Sequence, residues 1–433
     1  MCTLMRVSVE NYKSIYKKMS ININGMTVIA GSNSSGKSSF MQPFMILKQT
    51  VENNSDGESL IINGENASLT EGHQLFCKKD SKNKSFSVYM EKEKSDKNEI
   101  SKIEFGYSKK DGFTAIESSN NDFLLKKGMN HTEINLLVDK LKEQDEFFKN
   151  VFEKMGEDTP LIPKMKSKRS FLSIEFSPES TPDIKQHIFS FGISPTGNIE
   201  EFVGKIIHIP GIRSNPERQY KIERYNKRFQ GRFDKYTASI IYNWGLKEKK
   251  KLETLISLIS ELGLASNIKA QKVNEAHISL NISRYFGAED NDVVDLSDVG
   301  FGLSQILPIL IAIIEANKDN IIYIEQPEIH LHPLAQYKLA NILCRYVKKG
   351  KKLVIETHSS IFIRGLQTEV VKGNISNKEV SLNWFSQDSF GETKVSESEI
   401  DEIGAFGDWP SDFDDTYLKA DSEYLDAIEK RLM

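Results

Sequence analysis

Cysteine is scarce: Cys2, Cys77 and Cys344 are the only three in 433 residues, widely spaced and without a C-x-x-C pair. That excludes a disulfide framework and argues against a zinc site. Isolated thiols suit a reducing cytosol, so a cytoplasmic location is expected. Long hydrophobic runs are also lacking. The best, Ile306 to Ile314, contains Pro308 and is far too short to span a bilayer, so no membrane role is expected. The start, MCTLMRVSVENYKSIYKK, holds no apolar run of signal-peptide type. Neither sign of charge dominates. Lys and Arg number 57 against 61 Asp and Glu, so no global basic field marks a nucleic-acid binder. There is no internal repeat, and no sustained heptad that would make a long coiled coil.

What is present is an ordinary globular balance, 39% hydrophobic and 27% charged, which argues against disorder. At roughly 150 residues per domain the length allows two or three domains. Charge is segregated along the chain. Residues 213–236 carry a net +5, interleaved with Tyr220, Tyr225, Phe229, Phe233 and Tyr236. Residues 397–415 carry eight acids and no Lys or Arg. Each stretch could face a partner.

Residues 4–9 and 21–30 are apolar and β-branched and read as strands. A Gly/Ser loop follows at 31–39, then a helix-like segment containing Pro43. Residues 51–130 are polar, with alternating patches at 86–90 and 102–107, and suggest a β-rich arm. Residues 132–155 show helical spacing. Residues 170–175, 187–192 and 205–210 read as strands, and 237–264 as mainly helical. IIYIEQPE (321–328) and KLVIETHSS (352–360) are apolar strands ending in polar residues, with a helical segment between them. Strand, helix, strand with chemistry at the strands' carboxyl ends is an α/β signature.

GSNSSGKS, Gly31 to Ser38, matches G-x-x-x-x-G-K-[ST] in full. Glycines let backbone N–H groups turn inward around phosphates. In this pattern Lys37 reaches the β- and γ-phosphates and Ser38 ligates Mg²⁺. The nucleotide-binding set is Asn33, Ser34, Ser35, Gly36, Lys37, Ser38 and Ser39. Glu325, at the end of an apolar strand, occupies the position of a Mg²⁺-supporting acid. The next residue, where a water-polarising glutamate is usual, is Gln326; an amide orients water but cannot take its proton. Glu328, two residues on, is the candidate to take over. His330 and His332 form H-x-H, but beside Pro333 capping or packing is favoured over metal binding. His358, just past the second strand, is placed to report a γ-phosphate. Residues 293–314 run from an acidic turn through Gly300-Phe301-Gly302 into an apolar helix, with Pro308 expected early in it.

These pieces, in this order, resemble the ABC-type ATPase heads of the SMC, RecF and OLD-nuclease clade. The resemblance is closest to stand-alone bacterial AAA-family ATPases, whose segments look like VGFGxSQxLP, EQPExHLHP and ETHSS. Here they stand at Val299–Pro308, Glu325–Pro333 and Glu356–Ser360. Pro210-Gly211-Ile212-Arg213 is similar to the group's Pro-x-Arg strand end with one residue inserted, and 407–415 is similar to its Asp-Trp-Pro ending. The resemblance implies an α/β ABC-type P-loop head, a mixed sheet flanked by helices, with a β-rich arm and a helical lobe. Residues 1–80 and 297–433 would form the two parts of the core, 81–200 the arm and 201–296 the lobe. It implies ATP and Mg²⁺ as ligands, and a homodimer or higher oligomer that sandwiches the nucleotide. Ser297, Gly300, Gly302, Ser304 and Gln305 would close on the γ-phosphate in trans, with Ser297 or Gly300 replacing the usual signature serine. Gln74 would be the loop glutamine that senses Mg²⁺.

Many such proteins serve anti-phage defence beside a nuclease or toxin, as in Septu and retron-linked systems (PtuA) and PARIS (AriA). Asp412 and Asp414 match a TOPRIM Asp-x-Asp in spacing only, with no apolar strand before them. The expectation is therefore an ATPase, slow because of Gln326, that is not itself a nuclease and regulates a separate effector. The acidic end, with Trp409, Pro410 and Phe413, is a candidate docking strip for that effector. The alternative is a RecF-like DNA-repair clamp contacting DNA through 213–236.

Overall fold

The computed structural model describes residues 5–53, 57–77, 79, 83–93, 98–144, 149, 161–178, 191–226, 228–285, 292–406, 422–429 and 431. The segment 407–415, with Trp409, Pro410, Asp412, Phe413 and Asp414, lies outside them, as do most residues of 145–155.

In chain order, β1 (Met5–Glu10), β2 (Met19–Ile23) and β3 (Met26–Gly31) precede α1 (Lys37–Glu52). Strands β4 (Ser85–Lys92), β5 (Glu99–Ser108), β6 (Gly112–Ser119) and β7 (Leu124–Lys126) follow, then α2 (His131–Gln144), β8 (Leu161–Lys168), β9 (Phe171–Pro178), β10 (Phe191–Ile193) and α3 (Gly197–Gly204). Next come β11 (Ile206–Ile209), β12 (Tyr220–Lys221), α4 (Thr237–Lys247), α5 (Lys249–Glu261), β13 (Asn267–Lys272), β14 (His277–Ser283) and β15 (Val293–Asp295). The chain continues with α6 (Phe301–Glu315), β16 (Ile321–Glu325), α7 (Pro333–Lys348), β17 (Lys352–Thr357), α8 (Ser360–Val371), β18 (Val380–Gln387) and β19 (Thr393–Glu399).

Two compact units result. The first is Met1–Ser20 with Ser39–Gly204, the second Ile21–Ser38 with Lys205–Met433. In the first, β1-β4-β5-β6-β7 form an antiparallel run and β10-β9-β8 a small sheet. This matches the β-rich reading of its polar, alternating sequence. Phe76, Phe86, Tyr107 and Phe113 pack on one another with ring centroids 5.1–5.7 Å apart, Phe86 and Phe113 buried and Phe76 and Tyr107 half-buried.

The second unit is built on a sheet of order β11-β16-β17-β3-β18-β19, parallel except for the β18–β19 hairpin. Its central strands are largely apolar and buried: every residue of β3 is buried, as are Ile321–Ile324 and Leu353–Thr357. A parallel sheet covered on both faces requires this. Helix α6 is buried all round from Gln305 to Ile313, which explains its apolar run from Ile306. Pro308 is not early in it, as expected from sequence, but in the middle of the 15-residue helix. Burial on every side holds the helix together where a proline removes one backbone bond.

The run 21–30 is two strands. Asn24 N donates to Thr27 Oγ1 at 3.1 Å and turns the chain, and a side chain on Gly25 would meet Val347 at 2.5 Å. In the stretch read as a helical lobe, α4 and α5 share the space with a sheet of order β12-β14-β13, to which β15 adds through β14. Of the five aromatics offered by sequence for base stacking, three are core residues here, and Tyr220 and Tyr225 pack half-buried against that core. Phe229, Phe233 and Tyr236 are buried and pack on one another at 4.8–6.4 Å, with Tyr225 stacked on Phe229. Burying their apolar area outweighs any gain from leaving rings exposed to solvent. Of the basic residues, Arg218 pairs with Asp298, Arg232 pairs with Asp234, and Arg213 is buried, while Arg224 and Arg228 are exposed.

Candidate functional site

The Gly31–Ser38 loop leaves the end of β3 and enters α1. Its shape depends on its glycines. Gly31 has φ +146°, and a Cβ there would lie 2.1 Å from the Phe385 carbonyl oxygen. Gly36 has φ +98°, and a Cβ would lie 2.2 Å from Thr393 Oγ1. Thr393 in turn donates to Ser35 O at 3.0 Å, tying the loop to β19. Ser34 is also left-handed, at φ +62°. Alternating hand along a loop turns successive N–H groups inward, the geometry of an anion nest. Asn33, Ser34 and Ser38 are exposed on the loop, and Ser39 is half-buried.

Lys37 is folded into this loop. Its Nζ donates to Ser32 O at 2.6 Å and Gly31 O at 3.0 Å, with Ser35 Oγ at 3.4 Å. Burial lowers the ammonium's pKa, opposed by the charges of Glu356 and Glu328. The cation thus rests on carbonyl oxygens that a phosphate would replace.

Three carboxylates stand at the ends of the neighbouring strands. Parallel pairing sets Glu325 of β16 directly beside Glu356 of β17. Glu325 accepts from Gly211 N at 2.9 Å, and His208 Nε2 lies 3.1 Å from its other oxygen. Burial raises the Glu325 carboxyl, but His208 and the Gly211 N–H outweigh it and leave the pKa lowered. Glu356 accepts from Ser38 Oγ at 2.6 Å and from the buried Tyr323 hydroxyl at 3.0 Å. Burial, with the nearby Glu325 charge, raises its pKa. Glu328 accepts from His358 N at 2.7 Å, while its Oε2 is buried without a hydrogen-bond partner among the described residues. Burial raises its pKa too, against the pull of that N–H.

Glu356 and Glu328 hold protons more tightly folded than unfolded. Their contribution is therefore fully present below the unfolded carboxyl value and is lost as pH rises through the raised folded values. We expect Glu356→Gln, free of nucleotide and metal, to melt at or above the wild-type temperature at pH 7 to 8. A fall of several degrees would show that the charge stabilises the fold.

Gln326 begins the turn after β16 at φ +44°. Its N–H donates to Glu356 O at 2.7 Å, and Arg213 Nη2 donates to Glu325 O at 2.7 Å and reaches Gln326 O at 3.4 Å. A left-handed non-glycine residue held by so many bonds is a strained, over-determined position. Arg213 is buried, which lowers its pKa to about 10 against the pull of Asp234, Glu328 and Glu325. His358 follows β17. Burial lowers its pKa and the Lys37 charge adds to that, keeping the ring neutral at physiological pH.

The tertiary structure thus brings together Lys37, Ser38, Glu325, Gln326, Glu328 and His358. The helix-entry group is apart in its bonding. Gly300 caps α6, Ser297 N is capped by Asp295, and Ser304 Oγ donates to Phe301 O. Gly302 abuts His330, whose carbonyl oxygen would lie 2.9 Å from a Cβ. Gln305 is buried, with Nε2 3.4 Å from Ser214 O. Gln74 belongs to the first unit, where its Oε1 accepts from Thr70 N and Glu71 N. His332 caps α7 through Leu334 N, the capping role expected for it. No group of three or more His, Cys, Asp or Glu side chains placed to hold a metal ion is found among the described residues.

Sequence reasoning did not single out Glu356, Tyr323 or His208. Glu356 had the same signal as Glu325, an acid closing an apolar strand. Tyr323 and His208 had none, because strand pairing alone brings them to the acids.

Among the described residues, no helix is long and apolar enough to cross a membrane. A family described as the AAA ATPase domain matches residues 3–363. No curated protein matches. Similar solved structures include an SMC head bound to the C-winged helix domain of ScpA, at 11% identity and TM-score 0.48, covering 92% of this chain and 98% of that one. The SMC head domain from Thermotoga maritima has 12% identity and TM-score 0.41, covering 92% and 99%. An SMC head with an extended coiled coil, bound to the C-terminal domain of ScpA derived from Pyrococcus furiosus, has 10% identity and TM-score 0.46, covering 98% of each chain.

Proposed function

The chain belongs to the AAA ATPase domain family, and we propose that it is a slow ATPase that closes around ATP as a dimer and restrains a separate effector. The observation that carries the ATP reading is Lys37. Its ammonium sits inside a loop whose two glycines admit no side chain, facing Ser38 and two buried carboxylates. Those residues fit a nucleotide with Mg²⁺: nest N–H groups and Lys37 for the phosphates, Ser38 and a strand-end acid for the cation. Bound Mg²⁺ would neutralise phosphate charge.

The protein's own groups divide the remaining work. Lys37 exchanges the carbonyls of Gly31 and Ser32 for phosphate oxygens. Neutral His358, beside Lys37, offers a ring N–H to the terminal phosphate. Gln326 orients a water without accepting its proton. Glu328 accepts it: Oε1 is anchored by His358 N, Oε2 has no hydrogen-bond partner among the described residues, and a raised pKa strengthens the base.

Single-turnover hydrolysis tests this. Wild type should bind ATP and release phosphate slowly. Glu328→Gln should slow release about 100-fold with binding intact, and Gln326→Glu should speed it. Absence of ATP binding ends the ATP reading, and an unaffected Glu328→Gln rate ends the role of Glu328.

The resemblance to stand-alone defence ATPases supports an effector nuclease or toxin as the restrained partner and anti-phage defence as the setting. Gly300, exposed at the entry to α6, supports closure on a second subunit's nucleotide. Sedimentation with and without ATP would reveal dimerisation. Exposed Arg224 and Arg228 support the RecF-like alternative. Salt-sensitive, ATP-dependent DNA binding lost on reversing both charges would favour it.

A further inference from the structure

Ser38 is not bonded to the acid that the sequence pattern assigns to it. Its hydroxyl donates to Glu356, on the strand lying between β3 and β16. Glu325, the assigned acid, has one oxygen held by Gly211 N and the other beside His208. Glu356 is held from the opposite side by the Tyr323 hydroxyl.

We infer that Glu356 is the positioning residue that fixes Ser38 for a divalent cation, with Tyr323 holding Glu356 in place. This deepens the ATP-binding reading and rests on it.

A purely structural partner for Ser38 and Tyr323 need not carry charge: a glutamine could accept from one hydroxyl with its oxygen and donate its amide N–H to the other, turned round to accept. Instead Glu356 is a carboxylate, 3% exposed, set in register beside a second carboxylate, Glu325. Two like charges side by side among apolar strands are costly. A cation at Ser38 would offset that cost, and the Lys37 ammonium already does so in part. Mg²⁺ is held by one or two carboxylates with substrate phosphates and water, which this pair and Ser38 match.

Affinity for a fluorescent ATP analogue, measured in millimolar Mg²⁺ and again in excess chelator, tests the inference without reference to turnover. Wild type should bind more tightly with Mg²⁺. Glu356→Gln should lose about tenfold or more of that enhancement, the scale typical of removing a group that orients a metal ligand, while keeping its affinity in chelator. Tyr323→Phe should lose a smaller part, and Glu325→Gln less than Glu356→Gln. An intact enhancement in Glu356→Gln, or its loss in Glu325→Gln alone, overturns the assignment. Should Glu356→Gln fail to fold, Tyr323→Phe decides, and a full enhancement in that variant overturns it. Wild type without affinity in either condition ends the ATP-binding reading itself, a different result from either of these.

Discussion

Lys37→Ala is expected to lower ATP hydrolysis by about 10²- to 10³-fold, the loss seen when one fixed donor to developing charge is removed from a preorganised site. The reason is geometric. Lys37 is the first residue of α1, and its ammonium already lies within the loop, 2.6 and 3.0 Å from backbone carbonyls. It needs only a local rotation to reach a phosphate. The variant should remain folded. It trades a buried cation on carbonyls for a small side chain, at the cost of leaving Glu356 and Glu328 without their nearest ammonium. Nucleotide affinity and phosphate release, read beside a thermal melt, separate the two effects. Wild-type turnover in the variant would remove Lys37 from the mechanism.

Gly31→Ala should unfold the loop, not merely disable it. The new methyl would stand 2.1 Å from Phe385 O, on the strand paired with Gly31 itself, at a φ that side chains rarely adopt. Neither strand can yield without breaking the β3–β18 ladder. The expected cost exceeds about 3 kcal/mol, the range of a backbone clash added to a strained dihedral. In a unit of this size that lowers Tm by roughly 6–12 °C. Gly197→Ala is the control: it opens a helix, has no positive φ and no atom within 4 Å of its Cβ. A Gly31→Ala melt within a degree or two of wild type would show that β18 moves more freely than its pairing suggests.

The glycine-serine loop of 31–38 was legible as a motif because its pattern is local. Gly31, Gly36, Lys37 and Ser38 are eight residues from end to end, and no distant partner is needed to name them. The apolar strands at 321–325 and 352–357 were legible for a similar reason, since burial on both faces writes itself into every residue. The Asn24–Gly25 turn carries a local signal, the Asn-Gly pair and the Thr27 hydroxyl, that the apolar residues on either side masked; Val347 and Glu379 add a constraint from outside by crowding Gly25. The sheet of β12 to β15 was missed because strands such as Asn267–Lys272 are mostly polar and offer little alternation. For the aromatics of 225–236 the sequence left a base-stacking role and a core role open, and packing chose the core.

The sequence alone determined that this protein has a loop of G-x-x-x-x-G-K-S form, an acid-ended strand, a histidine past a second strand and a glutamine directly after the acid. Those are properties of short segments. Only the tertiary structure decided which acid serves which partner. Strand order places β17, not β16, next to β3, and parallel register sets Glu356 beside Glu325. Glu356 therefore reaches Ser38, and Glu325 turns to His208 and Gly211. Spacing along a chain carries no information about which strands are neighbours in a sheet. Hydrogen bonds between side chains more than 300 residues apart are set by that neighbourhood.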